Sequence, residues 1–150
     1  MQLITYDNIL SLFRQKKLYA DCPVPDPKGR IRALTTPVTF LLGNGQQLTA
    51  EAGFEWDEQS VPWIGQPLFP KSGIYAPSAL PHDIMYYLTV HCKNWVEEEF
   101  RRWMIATNLP PKQIQWRYWM VKKFGFKWWN KNLRNPGPRC LHNRALITLK

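Results

Sequence analysis

The sequence predicts an α+β fold: a β-hairpin or small antiparallel sheet, then a three-helix C-terminal half containing an antiparallel helix pair. Three observations carry this expectation. Ala33 to Leu42 is rich in β-formers, reaches Gly43-Asn44-Gly45, and returns through Gln47 to Trp56. Helical periodicity dominates from Pro81 onward. Between the two, five prolines interrupt residues 57 to 81.

The 150 residues are expected to form a single domain, 1–150, long enough to bury a core. Residues 6–18 read as a short helix. Thr5 or Asp7 caps it, Ile9, Leu12 and Phe13 form its apolar stripe, and Lys16-Lys17 suit its C-terminal end. Pro23, Pro25, Pro27 and Gly29 make residues 19–30 an extended connector. The hairpin spans 33–56, with Leu48, Ala50, Ala52 and Phe54 alternating against polar neighbours. Pro37 inside its first arm implies an edge position or a bulge. Two strands alone are marginal, so the hairpin must lean on the helices or find a further strand.

Residues 57–81 carry Trp63, Ile64, Leu68, Phe69, Ile74 and Tyr75, too many apolar groups for a free linker. They read as a packed loop that caps the site. Helices fill 81–130. The first covers 81–90, with Pro81 in its first turn. The second covers 94–107, capped by Asn94 with Glu97 three residues on, and its apolar face is Val96, Phe100, Trp103 and Met104. The third covers 111–129. Its period turns Ile114, Tyr118, Val121, Gly125 and Trp128 inward and Arg117, Lys122 and Lys127 outward. The tail, 131–150, ends in a late strand or docking segment at 145–149.

Composition narrows the class. No run of 18 or more apolar residues exists, so no transmembrane segment is expected, and Met1 to Asp7 lacks the pattern of a signal peptide. Three widely spaced cysteines argue against a disulfide scaffold and a structural zinc site, and for a reducing compartment. From Phe100 to Lys150 there is no Asp or Glu, whereas six of the eight tryptophans lie at Trp95 or later. Lys122, Lys123, Lys127 and Lys131 are the candidate contacts for an anionic partner: nucleic acid, lipid headgroups or an acidic protein surface. The alternative is a solvated face balanced by the acidic first half.

The candidate chemistry sits at His82-Asp83-Ile84-Met85-Tyr86. On a helix His82 and Tyr86 stack on one face, and Glu97 on the next helix faces them. A His, an adjacent Asp and a distant carboxylate form the layout of a water-activating dyad beside a metal ligand. Two packed helices also produce it without any activity: His82 as a capping or packed residue, Glu97 paired with Arg101, and Asp57 with Ser60 in a turn.

Gly53-Phe54-Glu55-Trp56-Asp57-Glu58-Gln59-Ser60-Val61-Pro62 matches a G-F-x-x-D-x-x-S-V-P signature. It continues through Leu68-Phe69-Pro70 and Gly73-Ile74-Tyr75 into His82-Asp83-x-x-Tyr86. Phe100 with its acid three residues before, and Tyr118-x-x-Val121-Lys122-x-Phe124-Gly125-x-x-Trp128, complete the pattern. This set, over roughly residues 33 to 129, resembles a family of small tailed-phage and prophage proteins of unknown function.

The helical half also resembles secreted calcium-dependent phospholipases of the A class. That likeness implies His82 as base, Glu97 as the acid that orients it, Tyr86 in support, and Asp83 as a calcium ligand. Asp57 is the candidate second ligand. The sequence departs from that family in Glu97 for Asp, in the absent flanking cysteines and in the absent glycine-rich calcium loop. The phage likeness implies a phage origin and no known activity; the function expected is a virion-associated component of the tail, tip or neck, made in the host cytoplasm and docked on other phage structural proteins. The alternative expectation is a hydrolase of host envelope lipid or cell wall. A third reading, a nucleic-acid-contacting accessory protein, rests on the basic end alone.

Overall fold

The computed structural model describes residues 2–14, 19–21, 31–57 and 76–150. Its architecture is α+β, with two small sheets packed against a helical C-terminal half. The strands are β1 (Gln2–Ile4), β2 (Tyr19–Asp21), β3 (Ile31–Leu34), β4 (Val38–Leu41), β5 (Gln47–Ala50), β6 (Glu55–Asp57) and β7 (Ile147–Leu149). The helices are α1 (Ile9–Arg14), α2 (Ala76–Leu88), α3 (Lys93–Ala106), α4 (Pro111–Phe124), α5 (Phe126–Arg134) and α6 (Pro138–Ala145).

The expected hairpin is one long ladder divided between the two sheets. Val38 pairs with Ala50 and Leu41 with Gln47 in the first, and Ala33 pairs with Glu55 and Ile31 with Asp57 in the second. The register carries through the break without slipping. Pro37 sits at the break and not inside a strand, because it has no N–H to give a ladder. Strand β4 is accordingly interior: β1 joins it in parallel on one side and β5 on the other. The expectation of an edge strand or bulge is thereby corrected. The first sheet, in the order β1-β4-β5-β7, is mixed and not purely antiparallel. β7 supplies the further strand that a lone hairpin needs. At the tip, Gly45 takes φ +85°, the left-handed residue that closes a three-residue loop.

Several boundaries move. The N-terminal helix begins at Ile9, and residues 15–18 lie outside the described set, as do 22–30 of the connector and 58–75 of the capping loop. Helix α2 starts five residues before Pro81, which is therefore an interior proline unable to donate to the carbonyl of Pro77. Cys92, not Asn94, stands at the N-cap of α3, and no side chain caps it. The third predicted helix is divided at Gly125 into α4 and α5, and the chain there lies close against α2: a Cβ on Gly125 would lie 2.5 Å from the Tyr86 hydroxyl. Past that break Trp129 turns inward and Trp128 outward. Arg117, expected outside, is buried, since three-residue steps put it on the same face as Ile114.

The stripe predicted on α3 forms the junction of the layers. Val96, Phe100, Trp103 and Met104 are all buried, and burying such side chains contributes about 1.5–3 kcal/mol each. Trp103 packs on Tyr6 and on Phe40 of β4, tying α3 to the first sheet. Asn143 of α6 closes the second sheet. Its amide accepts from the Glu55 N–H at 3.0 Å and donates to the Glu55 carbonyl at 2.7 Å, replacing a neighbouring strand along β6.

A buried ion clamp between two helices

His82, Asp83 and Tyr86 come from α2; Lys93, Glu97 and Phe100 come from α3. The two helices run antiparallel. The earlier His82 meets the later Phe100, and the later Tyr86 meets the earlier Glu97. The four-residue spacing stacks the His82 ring on Tyr86 with centroids 4.3 Å apart, and Phe100 flanks it at 4.1 Å.

The polar atoms then fall into register. His82 Nε2 stands 3.5 Å from Glu97 Oε2, and His82 Nδ1 stands 3.6 Å from Asp83 Oδ1. Glu97 has no exposed surface. Its Oε1 accepts from the Tyr86 hydroxyl and from Lys93 Nζ at 3.1 Å. Glu97 thus pairs with the residue four before it, not with Arg101 four after. Lys93 also donates to the carbonyls of Val121 (3.2 Å) and Lys122 (3.3 Å) at the C-terminal end of α4, where a cation is favoured. Trp129 packs edge-on to Tyr86 at 5.3 Å. Four helices therefore meet at one carboxylate.

Charge follows from the packing. Burial opposes charging His82, but the Asp83 and Glu97 carboxylates prevail and hold the ring above its usual value. Burial likewise pushes the Glu97 carboxyl up, yet His82, Tyr86 and Lys93 more than offset it and hold it below the usual range. Burial first, and then the Glu97 charge, pushes the Tyr86 hydroxyl far up, so it remains a donor. The two carboxylates favour the imidazolium form of the ring between them.

This arrangement decides what the ring can do. A general base needs one nitrogen oriented by an acid and the other open to water. Here both nitrogens face carboxylates, and the residue is 3 % exposed. The phospholipase likeness implies Asp83 and Asp57 as calcium ligands. Hard cations take six or more oxygens, and among the described residues no group of three or more His, Cys, Asp or Glu side chains gathers. Asp57 ends β6 opposite Ile31. Lys122, Lys123, Lys127 and Lys131 are all exposed on α4 and α5.

A second buried carboxylate escaped the sequence reading. Glu99 accepts from the Tyr6 hydroxyl at 2.5 Å and from the Gly43 N–H at 3.1 Å, and pairs with Arg102 at 3.2 Å. It fastens the hairpin tip to α3. A side chain at Gly43 would meet these groups, with Arg102 Nη1 2.6 Å from its Cβ. Nothing in the local pattern marks Glu99 out from Glu98, because its partners lie far away in the chain.

An α+β protein whose antiparallel helix pair encloses an ion clamp is the class these features define. Residues 33–121 match the family described as proteins of unknown function, DUF1353, and the chain belongs to that family. The matched region contains His82, Asp83, Tyr86, Lys93 and Glu97, the ionic and hydroxyl side chains of the clamp. No curated protein and no solved structure matches the chain.

Proposed function

We propose that this protein is a non-enzymatic docking component of a tailed-phage virion, part of the tail, tip or neck, in contact with other phage structural proteins. The phage assignment draws on the ordered signature from Gly53 to Trp128. The absence of catalysis draws on one observation: both nitrogens of His82 face carboxylates, at 3.5 Å and 3.6 Å, on a ring that is buried. In this reading the clamp serves rigidity. It locks α2, α3 and the α4–α5 junction into one body that presents its outer faces to neighbours.

Two measurements test it. Mass spectrometry of purified virions is expected to find the chain at stoichiometric abundance; its absence from virions would remove the structural role. A hydrolysis assay on phospholipid vesicles and on cell-wall material, with and without calcium, is expected to show no turnover. Calcium-dependent turnover that disappears in His82→Ala would establish the hydrolase instead.

A further inference from the structure

Strand β7 leaves one edge of the first sheet open. Gln47 and Lys150 exchange both backbone hydrogen bonds, at 2.8 Å and 2.9 Å, and the Glu51 N–H donates to the Leu146 carbonyl at 2.8 Å. In an antiparallel ladder such pairs alternate with pairs whose backbone groups turn outward. The N–H and C=O groups of Ile147 and Leu149 therefore point away from β5, along the edge. Two other edges are closed by asparagines. Asn8 Nδ2 donates to the Leu3 carbonyl of β1 at 3.0 Å, and Asn143 pairs with Glu55 of β6. Among the described residues no side chain plays this part on β7. Helix α6 leaves the edge toward α2 and β6, where Arg144 Nε donates to the Tyr87 carbonyl at 2.7 Å.

An open edge is a template for another strand, and the register here selects which one. A twofold axis at Thr148 sets Ile147 of each copy against Leu149 of the other, so every outward N–H meets a C=O. The side chains agree with this register. Thr39 of β4 faces Thr49 of β5 with hydroxyl oxygens 2.9 Å apart, and Thr49 faces Thr148 of β7. The axis adds Thr148 of the second copy to that row, and threonine pairs are favourable across strands. At each end Lys150 of one copy comes beside Leu146 of the other, on the same face as the exposed Glu51. Two strand spacings, about 10 Å, separate the Lys150 and Glu51 backbones, a span that the two side chains bridge together. A foreign strand would gain the backbone bonds, but only a copy of this chain brings the threonine and the lysine in this spacing.

We propose that β7 pairs antiparallel with β7 of a second copy about a twofold axis at Thr148, joining their first sheets into one. The pairing does not rest on the virion assignment, and its failure would leave the virion inventory untouched.

Sedimentation velocity of the full chain over a range of concentrations is expected to show a monomer–dimer equilibrium. Leu149→Pro removes an outward N–H and no bond to β5, a change that an edge strand accepts. It deletes an intercopy hydrogen bond from each copy and should weaken association about ten-fold or more. Thr148→Lys sets like charges directly opposite and should weaken it several-fold. Unchanged circular dichroism is the check on folding for both. Cysteine cross-linking reads the register, in a Cys22→Ser/Cys92→Ser background that keeps the buried Cys140. Thr148→Cys places two thiols at a non-hydrogen-bonded pair, where a Cα separation of about 4.5 Å suits a disulfide. A linked dimer is expected on mild oxidation, whereas Lys150→Cys, set against Leu146, should stay unlinked. A chain that is monomeric at all concentrations overturns the proposal. So does a dimer undiminished in both Leu149→Pro and Thr148→Lys, or a Lys150→Cys variant that links as readily as Thr148→Cys.

Discussion

His82 and Glu97 face each other at 3.5 Å across the α2–α3 interface, in a space that leaves the carboxylate no contact with solvent. A buried pair of this kind is weak evidence for stability in itself, since desolvating both charges consumes much of their attraction. Its consequence appears when one partner is removed.

Glu97→Gln should expose that consequence most clearly. The amide keeps the shape, yet it leaves the His82 and Lys93 cations without their shared counterion. A loss of about 3–5 kcal/mol in urea unfolding is expected, a large part of the ~5–15 kcal/mol that holds a domain together. A change below about 1 kcal/mol would mean that the carboxylate is not ionised in the folded protein.

The pH dependence follows from the directions of the two shifts. His82 is held above its ordinary 6.5, so its contribution is complete below pH 6.5 and is lost as pH rises through the folded-state value. Glu97 is held below its ordinary 4.5, so its contribution is complete above pH 4.5 and is lost as pH falls through the folded-state value. Thermal unfolding should thus give the highest Tm between pH 4.5 and 6.5, with a decline on each side. His82→Phe should remove the alkaline limb and, because His82 also helps hold the Glu97 carboxyl down, weaken the acid limb as well. An alkaline limb that persists in that variant would have to come from another group.

Gly125→Ala tests the closeness of α2 to the α4–α5 junction. The φ of −67° at Gly125 is open to any residue, so the expected cost is purely steric. The new Cβ would stand 2.4 Å from the Val121 carbonyl and 2.5 Å from the Tyr86 hydroxyl. Overpacking of this kind costs about 1–3 kcal/mol. The spectroscopic mark should be a change in Tyr86, monitored through its ring signals, as its hydroxyl is pushed off Glu97. A neutral substitution with unmoved Tyr86 signals would show that the junction opens freely.

Asn143→Asp should be worse than Asn143→Ala. The alanine leaves the N–H and carbonyl of Glu55 unpaired, at about 1–3 kcal/mol for a buried polar group. The aspartate can still accept from the N–H but sets a carboxylate against the carbonyl. Hydrogen exchange at the Glu55 amide is the direct readout: faster in alanine, with the greater global loss in aspartate. Equal stability of the two variants would argue that Asn143 is a filler and not a strand substitute.

The stretches legible in sequence were those whose signal is local. The hairpin could be read because β-formers alternate on both sides of a glycine turn, and α3 because Val96, Phe100, Trp103 and Met104 repeat at the helical period. The pairing of His82 with Glu97 was also within reach, since a four-residue spacing and a short connection between helices place them together. Misreadings arose where a local rule met a distant neighbour. Pro81 looks like a helix start, yet α2 is held as a helix through it by packing. Gly125 and Trp128 both fit the helical period, yet it is Trp129, four residues past Gly125 and packed on Tyr86, that is buried while Trp128 is exposed.

What the sequence by itself determined is therefore the class of fold, the helix pair and the residues that could form a dyad. Periodicity, turn chemistry and spacing along a helix are properties of neighbouring residues. Only the tertiary structure decided the surroundings of the His82 ring and the direction in which they shift its titration. Those depend on the field at the ring, which Asp83, Glu97, Lys93 and the surrounding desolvation set together. The same holds for Glu99, whose partners Tyr6 and Gly43 lie 93 and 56 residues away, and for Asn143, which reaches 88 residues back to β6. A hydrogen bond has no sequence pattern when its two ends meet only through the fold.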